Sequence, residues 1–385
     1  MDSKHQTILK KPMGTLAKKK TIKTYNNSSS SSVWADLHES LLGLILDHLP
    51  LPDQLQFSLV CRSWRALAVT RPVTVPLLML PPDDPGSETR TFYSPLDGTY
   101  HDVPLPGSSK KLCLASSHGW LLFADPYSDE RFLHHPFSNA RIDLPPWPFS
   151  SIPVDATVGL SLPPTDPGCV VVFMFDSCFV YCTIGDAAWS TVAMSSRWPT
   201  VVDCDAVACN GRLYVVSPCR QLGVVDVFNG VPRLSWLDLD DSRVRRVWPD
   251  VHKRWYVLEA SGTILLVFKD SKTWYPKVFM ADMDEMAWLE VEGFRDRALF
   301  LGKGGSFSVS NAGRIGQGNR IHFALQRWGY PTGEDRRFMV VYNMDGKHGH
   351  ASWLLQSSWA KFSILDTNDI GWESSHWLLA STGGL

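Results

Sequence analysis

The chain has 385 residues, with 37 Lys and Arg against 39 Asp and Glu, a formal charge of −2 and a pI near 6.6. That balance lacks the basic excess of a general nucleic-acid binder, and the longest apolar runs, near 170–175 and 77–80, fall far short of the ~18 residues of a membrane span. Sixteen Trp, 26 Pro and 27 Gly point to many short strands and turns in one large domain or two, not to long helices.

Residues 1–32 read as a tail. Lys4, Lys10, Lys11, Lys18, Lys19, Lys20 and Lys23 precede Asn26-Asn27 and an all-serine run at 28–32. Such a segment has too little apolar surface to offset its ordering entropy and is expected to be disordered. No apolar stretch follows the lysines, so it is not a secretory signal. The lysines at 18–23 have the composition of a nuclear-import patch, the alternative to a solvated leader.

A helical module spans residues 33–72. Asp36 and Glu39 have capping-box spacing, which predicts a helix starting near Leu37. Leu41, Leu42, Ile45, Leu46 and Leu49 then fall at helical spacing. Pro50 and Pro52 stop that helix and place the next start at 52–53, where proline is tolerated and Asp53 suits the helix dipole. A third helix is expected through Trp64 to about Val69, ended by Pro72.

The Pro-Leu-Pro break followed by Leu55, Leu59, Val60 and Cys61-Arg62-Ser63-Trp64-Arg65 resembles an F-box. That module docks a protein onto a Skp-type adaptor and, through it, a cullin. The usual Leu-Pro opening is here Leu37-His38. Such docking needs an apolar face that a partner covers, and the candidate contacts are Leu37, Leu41, Leu42, Ile45, Leu49, Leu55, Val60 and Trp64. Burying an aliphatic side chain is worth roughly 1.5–3 kcal/mol, so three or four suffice after the costs of association. The competing reading is a subdomain whose leucines pack only on the rest of the chain.

From residue 73 to 385 the pattern is strands, and it repeats. Inner-strand candidates centre on Leu121, Val171, Leu213, Tyr256, Leu299 and Ile321, mostly 42 to 50 residues apart with a shorter last gap. Turns follow at Phe137-Ser138-Asn139, Phe228-Asn229-Gly230 and elsewhere. The spacing suits a β-propeller of four-stranded blades. One repeat is directly readable: Ser94-Pro95-Leu96-Asp97-Gly98 against His135-Pro136-Phe137-Ser138-Asn139, offset by 41. Ser116-Ser117-His118-Gly119-Trp120 is echoed near the end by Ser374-Ser375-His376-Trp377. The first outer strands, around 91–105, and the C-terminal segment are therefore expected to share a blade, closing the ring without a free edge. Six candidates plus a closing blade favour seven blades, with six as the alternative.

Phe92-Tyr93-Ser94-Pro95-Leu96-Asp97-Gly98, Ser116 to Leu121, Asn139 to Pro145 and Arg297 to Gly302 together resemble plant F-box proteins with an uncharacterised, kelch-like C-terminal propeller. The resemblance covers about residues 33 to 325. It implies a mainly β fold and an assembly, without naming a target.

Trp147-Pro148, Trp198-Pro199 and Trp248-Pro249 recur about fifty residues apart, with Trp288 following. With Arg197 and Arg245 they form a candidate substrate rim, since Trp and Arg anchor interfaces. The competing reading makes the tryptophans wedges between blades. Eight cysteines, at 61, 113, 169, 178, 182, 204, 209 and 219, give no disulfide or zinc framework and read as reduced, buried thiols. His134-His135 and His348-Gly349-His350 lack further converging ligands and read as loop histidines. No phosphate loop, GxSxG or HExxH is present.

The chain therefore reads as a non-catalytic subunit without cofactor or metal. It is expected in the nucleus and/or cytoplasm, docking on a Skp-type adaptor and holding an unidentified target protein. The alternative is a non-degradative scaffold that binds a partner through its propeller.

Overall fold

The computed structural model describes residues 33–381 other than 50, 71–73, 81, 83, 151–155, 176–177, 194–205, 218–219, 248–254, 270–274, 303, 311, 313–316, 329–334, 346–347, 354–360 and 364–375. The expected tail lies outside the described residues, as do Arg197, Trp198 and Trp248.

The helical module comprises a 3-10 turn, Val33–Asp36, then α1 (Glu39–His48), α2 (Leu51–Gln56), a 3-10 turn Phe57–Leu59, and α3 (Arg62–Thr70). Helix α1 begins two residues later than expected and is capped by His38, not Asp36. The His38 ring accepts from Ser40 N at 3.2 Å, replacing the carboxylate cap.

Six sheets follow. Blade 1 orders His376–Ser381, Thr74–Met79, Thr89–Ser94 and Thr99–Pro104. Blade 2 holds Leu112–Ser117, Trp120–Ala124, Arg131–His135 and Ala140–Asp143. Blade 3 holds Thr157–Leu160, Val170–Phe175, Cys178–Thr183 and Ser190–Ala193, and blade 4 Ala206–Cys209, Arg212–Val216, Leu222–Phe228 and Val231–Leu237. Blade 5 holds Trp255–Ala260, Thr263–Lys269, Pro276–Asp282 and Ala287–Glu290. Blade 6 orders Phe307–Val309, Ala298–Leu301, Arg320–Trp328 and Asp335–Asn343, extended by His348–Trp353 and Lys361–Ser363. From blade 1 to blade 6 the first strand of each lies beside the first strand of the next, and an apolar cluster joins blade 6 back to blade 1, which makes a six-bladed propeller.

The sequence allows seven blades or six, and the structure has six for a specific reason. Ala298–Leu301 and Arg320–Trp328, counted as separate blades, are parallel partners in one sheet, with Leu299 opposite Ile321 and Phe300 opposite His322. The expected closure is present. His376–Ser381 pairs antiparallel with Thr74–Met79 over six positions, Thr74↔Ser381 through Met79↔His376. Most inner-strand candidates are the second strands of their blades. At the turns, Asn229 and Gly230 hold φ of 51° and 75°, the left-handed pair that a tight hairpin between twisted strands requires.

The core lies between blades. One apolar cluster joins Phe92, Leu121 and Phe132 across blades 1 and 2, another Trp120, Leu133 and Phe173 across blades 2 and 3. A third links Val172, Leu213 and Val257, a fourth Tyr256, Leu299 and Phe323, and a fifth Leu78, Tyr93 and Phe300, which joins blade 6 to blade 1. Gly159 permits one such approach: a Cβ there would stand 2.6 Å from Leu213 Cδ2 and 2.9 Å from Ala206 Cβ. Gly159→Val is expected to cost about 1–3 kcal/mol by overpacking, read as a lower urea midpoint at unchanged slope.

His134 and His135 are buried strand residues, not loop histidines, and His135 meets the Trp120 ring edge-on at 5.4 Å. Burial, the largest cause, lowers the pKa of His135 to about 4 and that of His322 to about 3 from 6.5. Well above pH 6.5 both residues are neutral whether folded or not. Below it the unfolded chain takes up protons that the folded chain refuses, so stability is lost as pH falls. The melting temperature is expected to fall between pH 6.5 and 4.5, before most carboxylates titrate. A flat profile there would contradict these burials.

Candidate docking site

Helix α1 has two unlike faces. Leu42 and Leu46, one turn apart, point inward and form the module's core with Phe57, Leu67 and Ala68, all at most 3 % exposed. Leu37, Ile45, Leu49 and Trp64 pack half-buried around it. Outside lie Leu41 at 49 % exposed, Leu44 at 57 %, Leu59 at 39 %, Val60 at 57 % and Trp34 at 63 %. Among the described residues the module thus has a buried core and still leaves five large apolar side chains in water.

The Cys-Arg-Ser-Trp-Arg ending fixes this arrangement. Ser63 Oγ donates to Ala35 O at 2.7 Å and Trp64 Nε1 to Trp34 O at 3.0 Å, tying α3 back to the opening 3-10 turn. The Trp64 ring lies 4.4 Å from Phe57, and Arg65 Nε donates to Ser58 O at 3.1 Å. The Ser63 hydroxyl, 3.1 Å from Cys61 Sγ, is the main cause that lowers that thiol's pKa.

Of the eight contacts expected from sequence, Leu41 and Val60 are exposed, and four lie at the margin. Leu42 is corrected to core, because its i+4 and i+7 neighbours, Leu46 and Leu49, share its face. The side chain of Leu55 lies outside the described residues. Trp34, Leu44 and Leu59 were missed. Leu44 was findable, being three residues after Leu41 and so on the same face.

Of the six residues of the propeller rim, Arg197, Trp198 and Trp248 lie outside the described residues, two are buried and one is exposed. Trp147 is 5 % exposed, wedged 4.7 Å from Phe173 and 5.2 Å from Trp189, with Arg131 Cζ 5.2 Å over its ring. Trp288 is fully buried in the outer strand of blade 5. Both are packed inside the apolar clusters, as the competing reading has them. Arg245 is exposed and bound to Asp241 Oδ1 at 2.6 Å, with Arg220 on the other oxygen at 2.7 Å. Burial opposes ionisation of Asp241, but these two arginines hold its carboxyl below the usual range. Phe149, 44 % exposed beside Trp147, is a rim aromatic that its type alone did not single out.

Buried Arg90 and Arg131 carry the 41-residue repeat inward. Arg90 donates to Ser87 O at 2.6 Å and to Ser108 O at 2.5 Å; Arg131 donates to Ser128 O at 2.9 Å and Glu130 O at 2.8 Å. Each guanidinium replaces water on loop carbonyls at a blade's edge. Among the described residues no group of three metal-ligating side chains occurs, and no helix is long and apolar enough to cross a membrane.

The chain thus joins a small helical module to a six-bladed propeller. Residues 34–75 match the F-box domain and residues 92–348 the KIB1-4 beta-propeller. The chain belongs to the KIB1-4 beta-propeller family. It is similar to the Arabidopsis thaliana F-box/kelch-repeat protein At1g57790, at 28 % identity over 72 % of this chain and 79 % of that one. It also resembles the F-box/kelch-repeat protein At3g18720 of the same plant, at 27 % identity over 53 % of this chain and 57 % of that one. Among solved structures, TolB from Acinetobacter baumannii aligns with a TM-score of 0.41 and 13 % identity, over 79 % of this chain and 66 % of that one, too loosely to carry an argument.

Proposed function

We propose that this chain is the substrate-recognition subunit of a Skp–cullin–F-box ubiquitin ligase. The observation that carries the reading is the set Trp34, Leu41, Leu44, Leu59 and Val60, left exposed beside the module's own buried core. Isolated exposed leucines need no explanation, whereas several on one small module mark an interaction surface. A Skp-type adaptor covers them, with Leu37, Ile45, Leu49, Leu55 and Trp64 around the margin, and links the chain to a cullin.

The propeller holds the target. Catalysis belongs to the partners, and this chain supplies proximity: a tethered target lysine meets the ubiquitin-loaded enzyme at high effective concentration. The site of action is the nucleus and/or cytoplasm. The test is the abundance of proteins that co-purify with the propeller, measured after knockdown of this chain. Accumulation of a bound protein, with loss of its ubiquitin conjugates, is the expected result. Unchanged abundance and conjugates would make the chain a non-degradative scaffold instead.

A further inference from the structure

A pocket of about 510 Å³ opens where blade 6 meets blade 1, lined by Pro95, Gln317, Arg320, His322, Met339, Val341 and Asn343. Two antiparallel strands of blade 6 build its floor. Their register sets Arg320 opposite Asn343, His322 opposite Val341 and Ala324 opposite Met339, so side chains two apart share one face. The floor therefore runs from a charged, polar end through an imidazole to an apolar end.

Two features of that floor ask for a ligand. His322 is 1 % exposed, and among the described residues neither of its ring nitrogens has a hydrogen-bond partner. Its ring stacks on Phe300 at 4.5 Å and 13°, which fixes the plane but satisfies no polar atom. A buried polar group left this way is rare in native folds. Arg320 is held by Gln317, whose Oε1 accepts from Nη1 at 3.1 Å, and among the described residues it forms no ion pair with a carboxylate. Burial first, and the Arg320 charge second, hold His322 neutral at pH 7, so it presents one N–H.

We infer that this inter-blade pocket binds a small monocarboxylate with an apolar body. The carboxylate accepts from the Arg320 guanidinium and the His322 N–H, and the body lies against Val341, Met339 and Pro95. One cation and one neutral donor match a single negative charge, and the guanidinium excludes a cationic ligand. The site is independent of adaptor docking, so its failure leaves that reading intact.

The test is calorimetric titration of the full chain at neutral pH with 3-phenylpropionate, with its primary amide, and with the tripeptide Ala-Ala-Phe bearing a free carboxylate. The expected result is saturable, sub-millimolar binding of an acid, none of the amide, and at least about tenfold weaker binding in Arg320→Gln and in His322→Phe. His322→Phe keeps the stack on Phe300, so its melting temperature should match wild type. Binding of 3-phenylpropionate alone assigns the pocket to a free acid, and binding of the tripeptide assigns it to a chain terminus. Absence of saturation by about 10 mM, equal affinity for acid and amide, or unchanged affinity in Arg320→Gln would overturn the inference.

Discussion

Deleting residues 372–385 is expected to abolish the cooperative unfolding transition of the propeller rather than lower its midpoint. The deletion removes the first strand of blade 1 and with it six paired positions along Thr74–Met79. Val75, Leu77, Leu78 and Met79, each at most 6 % exposed, line the joints on either side of that blade. Each lost ladder bond is worth about 0.5–1.5 kcal/mol, and each uncovered aliphatic side chain about 1.5–3 kcal/mol. Together these reach the 5–15 kcal/mol by which a domain is ordinarily stable. The strand also joins the two ends of the sequence, so its loss opens the ring as well as one sheet. Removal of 382–385 alone should leave the calorimetric transition in place. A chain lacking 372–385 that melts as wild type does would refute the closure.

Leu41→Asp with Leu44→Asp is expected to eliminate adaptor binding while leaving both the module and the propeller folded. Both side chains are about half exposed, so the new carboxylates remain hydrated in the free chain and lose that hydration only when a partner covers them. Leu42→Asp is the contrasting variant. It places a carboxylate against Leu46, Phe57 and Leu67 with no partner, a cost of several kcal/mol that a module of three short helices does not survive. Both variants should fail to bind, but only Leu42→Asp should lose helical circular dichroism and become protease-sensitive between residues 33 and 70. Equal helicity in the two would show that the faces of α1 are assigned wrongly.

Much of this architecture was legible because its signals are local. The helix breaks at Pro50 and Pro52, the left-handed turn residues and the offset of 41 all act within one blade or one helix. Arg90 and Arg131 obey the same offset, although their shared task, donating to loop carbonyls, appears only in three dimensions. The blade count stayed open between six and seven where the information is non-local. Ala298–Leu301 is wholly apolar whereas Arg320–Trp328 opens by alternating Arg320 and His322 with Ile321 and Phe323, and nothing in either pattern says that they lie side by side in parallel. Thr74–Met79, which contains Pro76, is not among the strand candidates, although its apolar run at 77–80 is legible. Only Leu78 and Met79 pair with the next strand of the blade, so Pro76 lies outside that ladder, while on the other side it stands opposite Leu379. The fate of each tryptophan depends on its neighbours. Trp147 has Phe173 and Trp189 beside it and is buried, whereas Trp34 has no such cover.

The most direct measurement of the central claim is co-purification of the full chain with a plant Skp-type adaptor, comparing wild type with Leu41→Asp/Leu44→Asp. Recovery of a stoichiometric complex with wild type, and none with the double variant at an unchanged melting temperature, is the predicted result. Equal recovery with both would place the adaptor elsewhere on the chain, and no recovery with wild type would contradict the assignment of this module as a ligase-docking site.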